Sequence, residues 1–260
     1  WQLKADEAHH CVLEALNSGY RHIDTAQAYQ NEEYVGRGLR DAGLPRDDYF
    51  LTTKIWMSEF RDGDLQRSAK SSLKRLDVDH LDLLLLHWPD PQIPMSETIG
   101  ALNQAREEGL TKHIGVSNFN TAQLDEAIKL SEAPILVNQV EYHPFIDQTP
   151  MLEACKSHGS ALTAYCPLAQ GKVFDDPVIK EIAKKHGKTE AQVTLRWFVQ
   201  QEGVIAIPRS SNTAHIKSNN DIHDFNLDFD DMSAIHELRR QHERLINPGW
   251  APQWDEPALV

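Results

Sequence analysis

With 260 residues, 40% of them hydrophobic and 25% charged, the chain has the make-up of a folded globular protein and not of a disordered one. A formal net charge of −13 repels nucleic acid and anionic membranes, so neither is expected as a partner, and an anionic ligand would need a local cluster of cations. No apolar run nears the roughly 20 residues of a membrane span, no signal segment opens the chain, and three scattered cysteines, Cys11, Cys155 and Cys166, suit a cytoplasmic protein with no disulfide framework and no metal cluster; a monomer is expected.

The first periodic segment begins almost at Trp1, and the expectation is that a strand has been cut away ahead of it. From there, strand-length apolar runs recur at residues 20–24, 49–54, 81–87, 113–117, 135–141, 161–165 and 204–208. Runs of this size suit parallel strands buried on both faces. Amphipathic segments separate them: in 64–76, Leu65, Ala69, Leu73 and Leu76 share one face, with Lys and Arg opposite. Gly19, Gly43, Gly109, Gly159, Gly187 and Gly203 mark helix ends. Residues 230–241 read as a last helix and 248–260 as a proline-rich tail. Strand and helix alternating over the whole chain imply a parallel sheet. An open sheet would carry a glycine-rich phosphate loop after its first strand. None is present, since Gly36-Arg37-Gly38 lies inside a helical pattern. The expected fold is therefore a single domain over 1–260, an α/β chain forming a (β/α)8 TIM barrel with its first strand and N-terminal hairpin truncated.

In a barrel the C-terminal ends of the strands meet on one face, where chemistry is found. The predicted strands end in Asp24, Lys54, His87, Ser117-Asn118, Gln139 with Glu141, Tyr165 and Arg209-Ser210. One polar residue at a strand end is usually a helix cap, but seven in succession are harder to explain that way. An acid, an ammonium and an imidazole are costly to gather in a dry site without pairing. A lysine beside a tyrosine favours the phenolate and lowers the phenol pKa from about 10 towards working pH. A carboxylate keeps the lysine charged, and an imidazole orients a carbonyl oxygen. Such parts protonate a carbonyl oxygen while hydride reaches the carbon, and a nicotinamide is the hydride source.

Seven segments then carry a family resemblance in register: Tyr20 to Tyr29 with Asn31-Glu32, Thr53-Lys54-Ile55-Trp56, Leu86-His87-Trp88-Pro89, Ile114 to Phe119, Asn138 to Pro144, Tyr165-Cys166-Pro167-Leu168 and Ile207-Pro208-Arg209-Ser210. Together they resemble the aldo-keto reductases over essentially the whole chain. The resemblance implies Tyr29 as general acid, Lys54 as its pKa modulator, Asp24 as the partner of Lys54, and His87 as the group that orients the carbonyl. It implies Ser117, Asn118 and Gln139 on the nicotinamide carboxamide, Tyr165 stacked on the ring, and Leu168 in the cofactor site. It also implies Trp1, Trp56 and Trp88, with Asn118, around the substrate. Glu141, His143 and Cys166 are read as structural.

At the adenosine end the family grips the 2′-phosphate with a cation, a serine and a later arginine. Here Arg209 and Ser210 stand in the first two positions, His215 replaces the arginine, Ser218 replaces an acid, and Asn219 is kept. Arg209 can fork onto a phosphate, whereas a neutral imidazole adds little charge. NADPH is therefore expected, with NADH as a weaker alternative. Only about ten residues separate His87 from Ser96, and short loops resemble the bacterial branch that reduces diketo-gluconate and methylglyoxal. Arg244 reads as a surface ion pair ahead of a substrate-carboxylate contact. Two other readings fit parts of the pattern. One is a non-catalytic nucleotide-binding regulatory subunit, which would not need all four catalytic residues. The other is a metal hydrolase on Asp24, His87 and His143, for which the H-x-H spacing is missing.

Overall fold

The computed structural model describes residues 1–258, so the last two residues of the expected tail lie outside the described residues. Seven parallel strands hydrogen-bond in chain order: β1 (His22–Asp24), β2 (Phe50–Ile55), β3 (Leu81–Leu86), β4 (Thr111–Ser117), β5 (Ile135–Glu141), β6 (Ala161–Tyr165) and β7 (Val204–Ala206). Helix α1 (Ala5–Asn17) precedes β1. Helices α2 (Glu32–Asp41), α3 (Asp64–Leu76), α4 (Met95–Glu107), α5 (Thr121–Leu130) and α6 (Thr149–His158) return the chain between successive strands. Two more, α7 (Pro177–His186) and α8 (Glu190–Val199), separate β6 from β7, and α9 (Thr213–Asn220) and α10 (Phe229–Glu237) follow. This is the (β/α)8-barrel fold, with seven strands among the described residues. The last helix expected at 230–241 divides into α10 and a 3-10 turn, Leu238–Gln241. Strand β1 starts later than the sequence suggests because Tyr20 N donates to Ala15 O and closes the turn after α1.

Each strand presents alternate residues to the barrel interior, and the register fixes which ones. Leu83, Leu85 and Val137 form a small cluster inside the barrel, apart from the larger core between strands and helices. Lys54 pairs in register with Leu85, and Asp24 with Thr52, two residues before Lys54. Ser117 pairs with Gln139 and Glu141 with Tyr165, both on the parity of Val137. One alternation therefore turns Asp24, Lys54, Ser117, Gln139, Glu141 and Tyr165 inward. The interior is narrow at β4: a Cβ on Gly115 would lie 2.7 Å from Leu85 and 2.9 Å from the Val137 carbonyl.

The helical ring closes where the sheet does not. His10 Nε2 meets Thr213 Oγ1 at 3.0 Å, and Asn220 Nδ2 donates to Ser18 O at 2.9 Å, joining α9 to α1. Among the described residues the facing edges of β1 and β7 have no strand partner, and they flank a cleft.

The Gly36-x-Gly38 pair has a packing role in α2. A Cβ on Gly36 would stand 2.4 Å from the Leu76 carbonyl oxygen, and one on Gly38 would stand 2.8 Å from that of His9, so the pair lets α3 and α1 approach on either side. Alanine in a helix gains about 1 kcal/mol over glycine, but overpacking against backbone costs roughly 1–3 kcal/mol or more. Gly36→Ala should therefore destabilise the fold by roughly 2 kcal/mol, read as a lower midpoint in urea unfolding. An unchanged or raised midpoint would contradict the packing account.

Candidate active site

The strand ends converge on a cleft of about 1300 Å³. At its floor Lys54, fully buried, donates to Asp24 Oδ1, to Thr25 O at 2.9 Å and to Tyr29 OH at 3.3 Å. Tyr29 reaches it from a single 3-10 turn, Gln27–Tyr29, which directly follows β1 and ends on Gln30 in the left-handed region at φ 54°. Gln139 Nε2 donates to the second oxygen of Asp24 at 2.7 Å. The His87 ring meets Tyr29 edge-on at 5.7 Å between centroids and Trp56 edge-on at 5.3 Å.

Burial works against the Lys54 ammonium, but the Asp24 carboxylate and Tyr29 outweigh it and hold the pKa above 10.5, so the lysine is charged. His87 falls well below 6.5, because burial comes first and the Lys54 charge adds to it. Its imidazole is neutral at pH 7, and Nδ1 is buried without a hydrogen-bond partner. For Tyr29 the structure overturns the expected direction. Lys54 does pull the phenol down, yet burial is the larger influence and Asp24 adds to it, so the pKa lies above 10.0. The physical reason is that the low-dielectric floor which strengthens the lysine's pull also penalises the phenolate itself.

Beside this floor, Ser117 Oγ donates to Gln139 O at 2.8 Å, and Asn118 Nδ2 donates to His87 O at 3.0 Å and Ser117 Oγ at 3.1 Å. Tyr165 OH donates to Asn118 Oδ1 at 2.7 Å. Asn118 is thereby committed within the protein, while Gln139 keeps an oxygen for a ligand. Asn118 sits at φ 62°, a conformation asparagine tolerates, and Cys166 at φ 52° ahead of Pro167. These residues, with Leu168, Trp1, Trp56 and Trp88, line the cleft. At its far end stand Arg209, Ser210, His215 and Asn219. Arg209 is exposed and spends one nitrogen on Gln2 Oε1 at 2.7 Å. His215 is exposed on the first turn of α9, where Asn212 caps Ala214 N and His215 N.

Glu141 and His143 are fully buried and bonded to each other at 2.9 Å. Glu141 also accepts from Leu245 N at 2.6 Å and Ile246 N at 2.9 Å, so the pair anchors the C-terminal segment. Arg244 is not the surface ion pair the sequence suggests. Its side chain is 13% exposed, 3.9 Å from Glu141, with its guanidinium carbon 3.9 Å from the centre of the Trp254 ring. The tail folds back over the barrel and covers it.

The sequence model of the aldo/keto reductase family matches residues 1–240. The chain belongs to the aldo/keto reductase family. Among its relatives, the methylglyoxal reductase DkgB of Escherichia coli O157:H7 is 40% identical over 98% of this chain and 96% of its own. A solved structure assigned as a 2,5-diketo-D-gluconic acid reductase B superposes with a TM-score of 0.94 at 49% identity, over 96% of this chain and 89% of that one. An aldo-keto reductase of Bombyx mori, solved in complex with NADP, has a TM-score of 0.88 and 34% identity over 95% and 87%. The protein is thus an oxidoreductase acting on carbonyl groups.

Sequence reasoning missed two parts of this reductase's site. Trp254 packs on Trp88, with ring centres 6.1 Å apart, and Asp255 holds the tail by accepting from Thr121 N and, at 2.6 Å, from Thr121 Oγ1. The tail's composition carries no periodic signal for either. Gln27 lies inside the Tyr29 motif, which gives it no separate role.

A phenol that must give up a proton is fully armed below its pKa and lost as pH rises through it. With Tyr29 raised above 10.0 and His87 depressed below 6.5, reductive kcat/KM should show no inflection near pH 6.5 and decline only above pH 10. A stopped-flow profile with an enzyme inflection near neutrality would contradict both assignments.

Proposed function

We propose that this reductase uses NADPH to convert small aldehydes and ketones to alcohols, foremost α-dicarbonyls such as methylglyoxal and keto-sugar acids such as 2,5-diketo-gluconate. The observation that carries the reading is the meeting of a protonated Tyr29, a charged Lys54 paired to Asp24, and a neutral His87 on the floor of one cleft. The named relatives support the substrate class, and the Bombyx mori complex supports the cofactor.

The cleft fits an elongated dinucleotide. Gln139 has a free oxygen for a carboxamide N–H, Tyr165 offers a ring at the wall, and Arg209 and Ser210 lie at the opposite end, where a phosphate would sit. When bound, the dihydronicotinamide supplies hydride to the carbonyl carbon. Tyr29 donates its phenolic proton to the carbonyl oxygen, and the Lys54 ammonium, 3.3 Å away, stabilises the phenolate left behind. Asp24, bonded by both Lys54 and Gln139, keeps the ammonium in that position. Neutral His87 donates its remaining N–H to the same carbonyl oxygen, while Trp56 and Trp88 exclude water. The three free thiols, two of them buried, are compatible with the cytoplasmic, monomeric enzyme we infer, in which one domain holds the whole site.

NADPH oxidation driven by methylglyoxal tests the reading. Tyr29→Phe should lower kcat/KM by roughly 10²–10⁴-fold with thermal stability kept, and full activity in that variant would refute Tyr29 as the donor. The cofactor end gives a separate expectation. An imidazole at position 215 lacks the planar fork with which an arginine would grip a 2′-phosphate, so His215→Arg should raise the NADPH-to-NADH ratio of kcat/KM by about tenfold. An unchanged ratio would remove His215 from the phosphate site.

A further inference from the structure

We propose that Gln27 is a positioning residue that sets Tyr29 and Trp56 in register on either side of His87. Gln27 opens the single turn that ends in Tyr29, and a turn of this kind, with Ala28 exposed at its middle, has little packing of its own to hold it. Its side chain supplies the missing hold. Nε2 donates to Ser68 Oγ at 2.8 Å, Ser72 Oγ at 2.9 Å and Ser68 O at 3.1 Å, all on α3. Oε1 accepts from the backbone N–H of Trp56 at 3.2 Å. Both ends of one amide are thus used, one to moor the tyrosine's turn to a helix and the other to fix the segment that carries the tryptophan.

The mooring point is itself anchored beneath the catalytic floor. Ser72 is fully buried and donates to Glu32 Oε2 at 3.2 Å. Glu32, also buried, accepts from Thr53 Oγ1 at 2.6 Å and from Arg75 Nε at 2.8 Å. Thr53 directly precedes Lys54 on β2. A continuous chain of hydrogen bonds therefore runs from the Tyr29 turn through Gln27, Ser72, Glu32 and Thr53 to the strand that bears Lys54. A donor held 3.3 Å from its lysine depends on such a chain, since a shift of about 1 Å in a reacting group can cost on the order of a hundredfold in rate. An asparagine would stop one methylene short of Ser72, and an apolar side chain would leave the Trp56 N–H without its partner.

The inference rests on Tyr29 being the proton donor, so Tyr29→Phe is run beside it. Gln27→Met keeps the length and bulk of the side chain and removes both hydrogen-bonding ends. With NADPH and methylglyoxal, it should lower kcat by roughly ten- to a hundredfold. The methylglyoxal KM and the NADPH dissociation constant, followed by tryptophan fluorescence, should stay within about twofold, and the alkaline limb of the kcat profile should shift. If Tyr29→Phe is inactive and Gln27→Met keeps its kcat and its alkaline limb, Gln27 does not position the donor. A raised KM at constant kcat would overturn the proposal equally, as it would reduce Gln27 to packing of the Trp56 wall. If Tyr29→Phe is fully active, the reading of the donor itself fails. Should Gln27→Met not fold, Ser68→Ala, which removes only one acceptor of the same amide, is expected to lower kcat in the same way with KM unchanged. An unaltered kcat there overturns the proposal.

Discussion

A lysine ammonium held wholly out of water inside a barrel must be met by negative charge and by oxygen atoms, and at Lys54 these come from three directions. Asp24 stands on the neighbouring strand, the Thr25 carbonyl follows it, and the Tyr29 phenol returns from the next turn. Desolvating a charge without such partners costs several kcal/mol, so the positions of β1, its following turn and β2 are coupled to this one cation. Gln139 extends the coupling across the barrel, because its amide takes the second oxygen of Asp24. The Gln139 wall of the cleft and the Lys54–Tyr29 floor consequently share a carboxylate.

The same dryness sets the protonation of the other groups. His87 is kept neutral by burial, with the Lys54 charge adding to the effect, and Tyr29 is kept protonated because burial outweighs the lysine's pull. A neutral imidazole can donate one hydrogen bond without contributing charge, and a protonated phenol can act as an acid across the physiological range. In the proposed mechanism the lysine's part is then to receive the phenolate as it forms, more than to create it beforehand. In that arrangement the electrostatic contribution is greatest at the moment the proton leaves.

Around this floor the chain spends much of its buried polarity on holding loops. Glu141 and His143 resemble an acid–base pair in sequence, yet in space they grip the backbone of Leu245 and Ile246. Arg244 and Trp254 stack, and Trp254 in turn packs on Trp88, so the tail reaches the wall of the cleft. A carboxylate's chemistry is decided by what faces it. That of Asp24 meets an ammonium at the cleft floor, while that of Glu141 meets backbone N–H groups in the interior.

Much of the fold was legible in the chain itself. Parallel strands buried on both faces have to be largely apolar, as the run Leu83–Leu86 is, and the polar residue that ends each strand stands out against such a run. Their place at strand ends also implied that Asp24, Lys54 and His87 would share a face, and the motifs around them named the family. Three things depended on tertiary contacts. The direction of the Tyr29 pKa is a balance of burial against Lys54, and burial cannot be read from neighbours in sequence. Arg244 lost its surface character because a tail ten residues further on folds over it. Gln27 carried no signal of its own in the sequence because its partners Ser68 and Ser72 lie more than forty residues away on α3. The sequence by itself determined the alternation of elements and the strand-end residues Asp24, Lys54 and His87, because these follow from local patterning, and the family motif added Tyr29. Their distances, charges and supports were decided only when the barrel brought remote segments together.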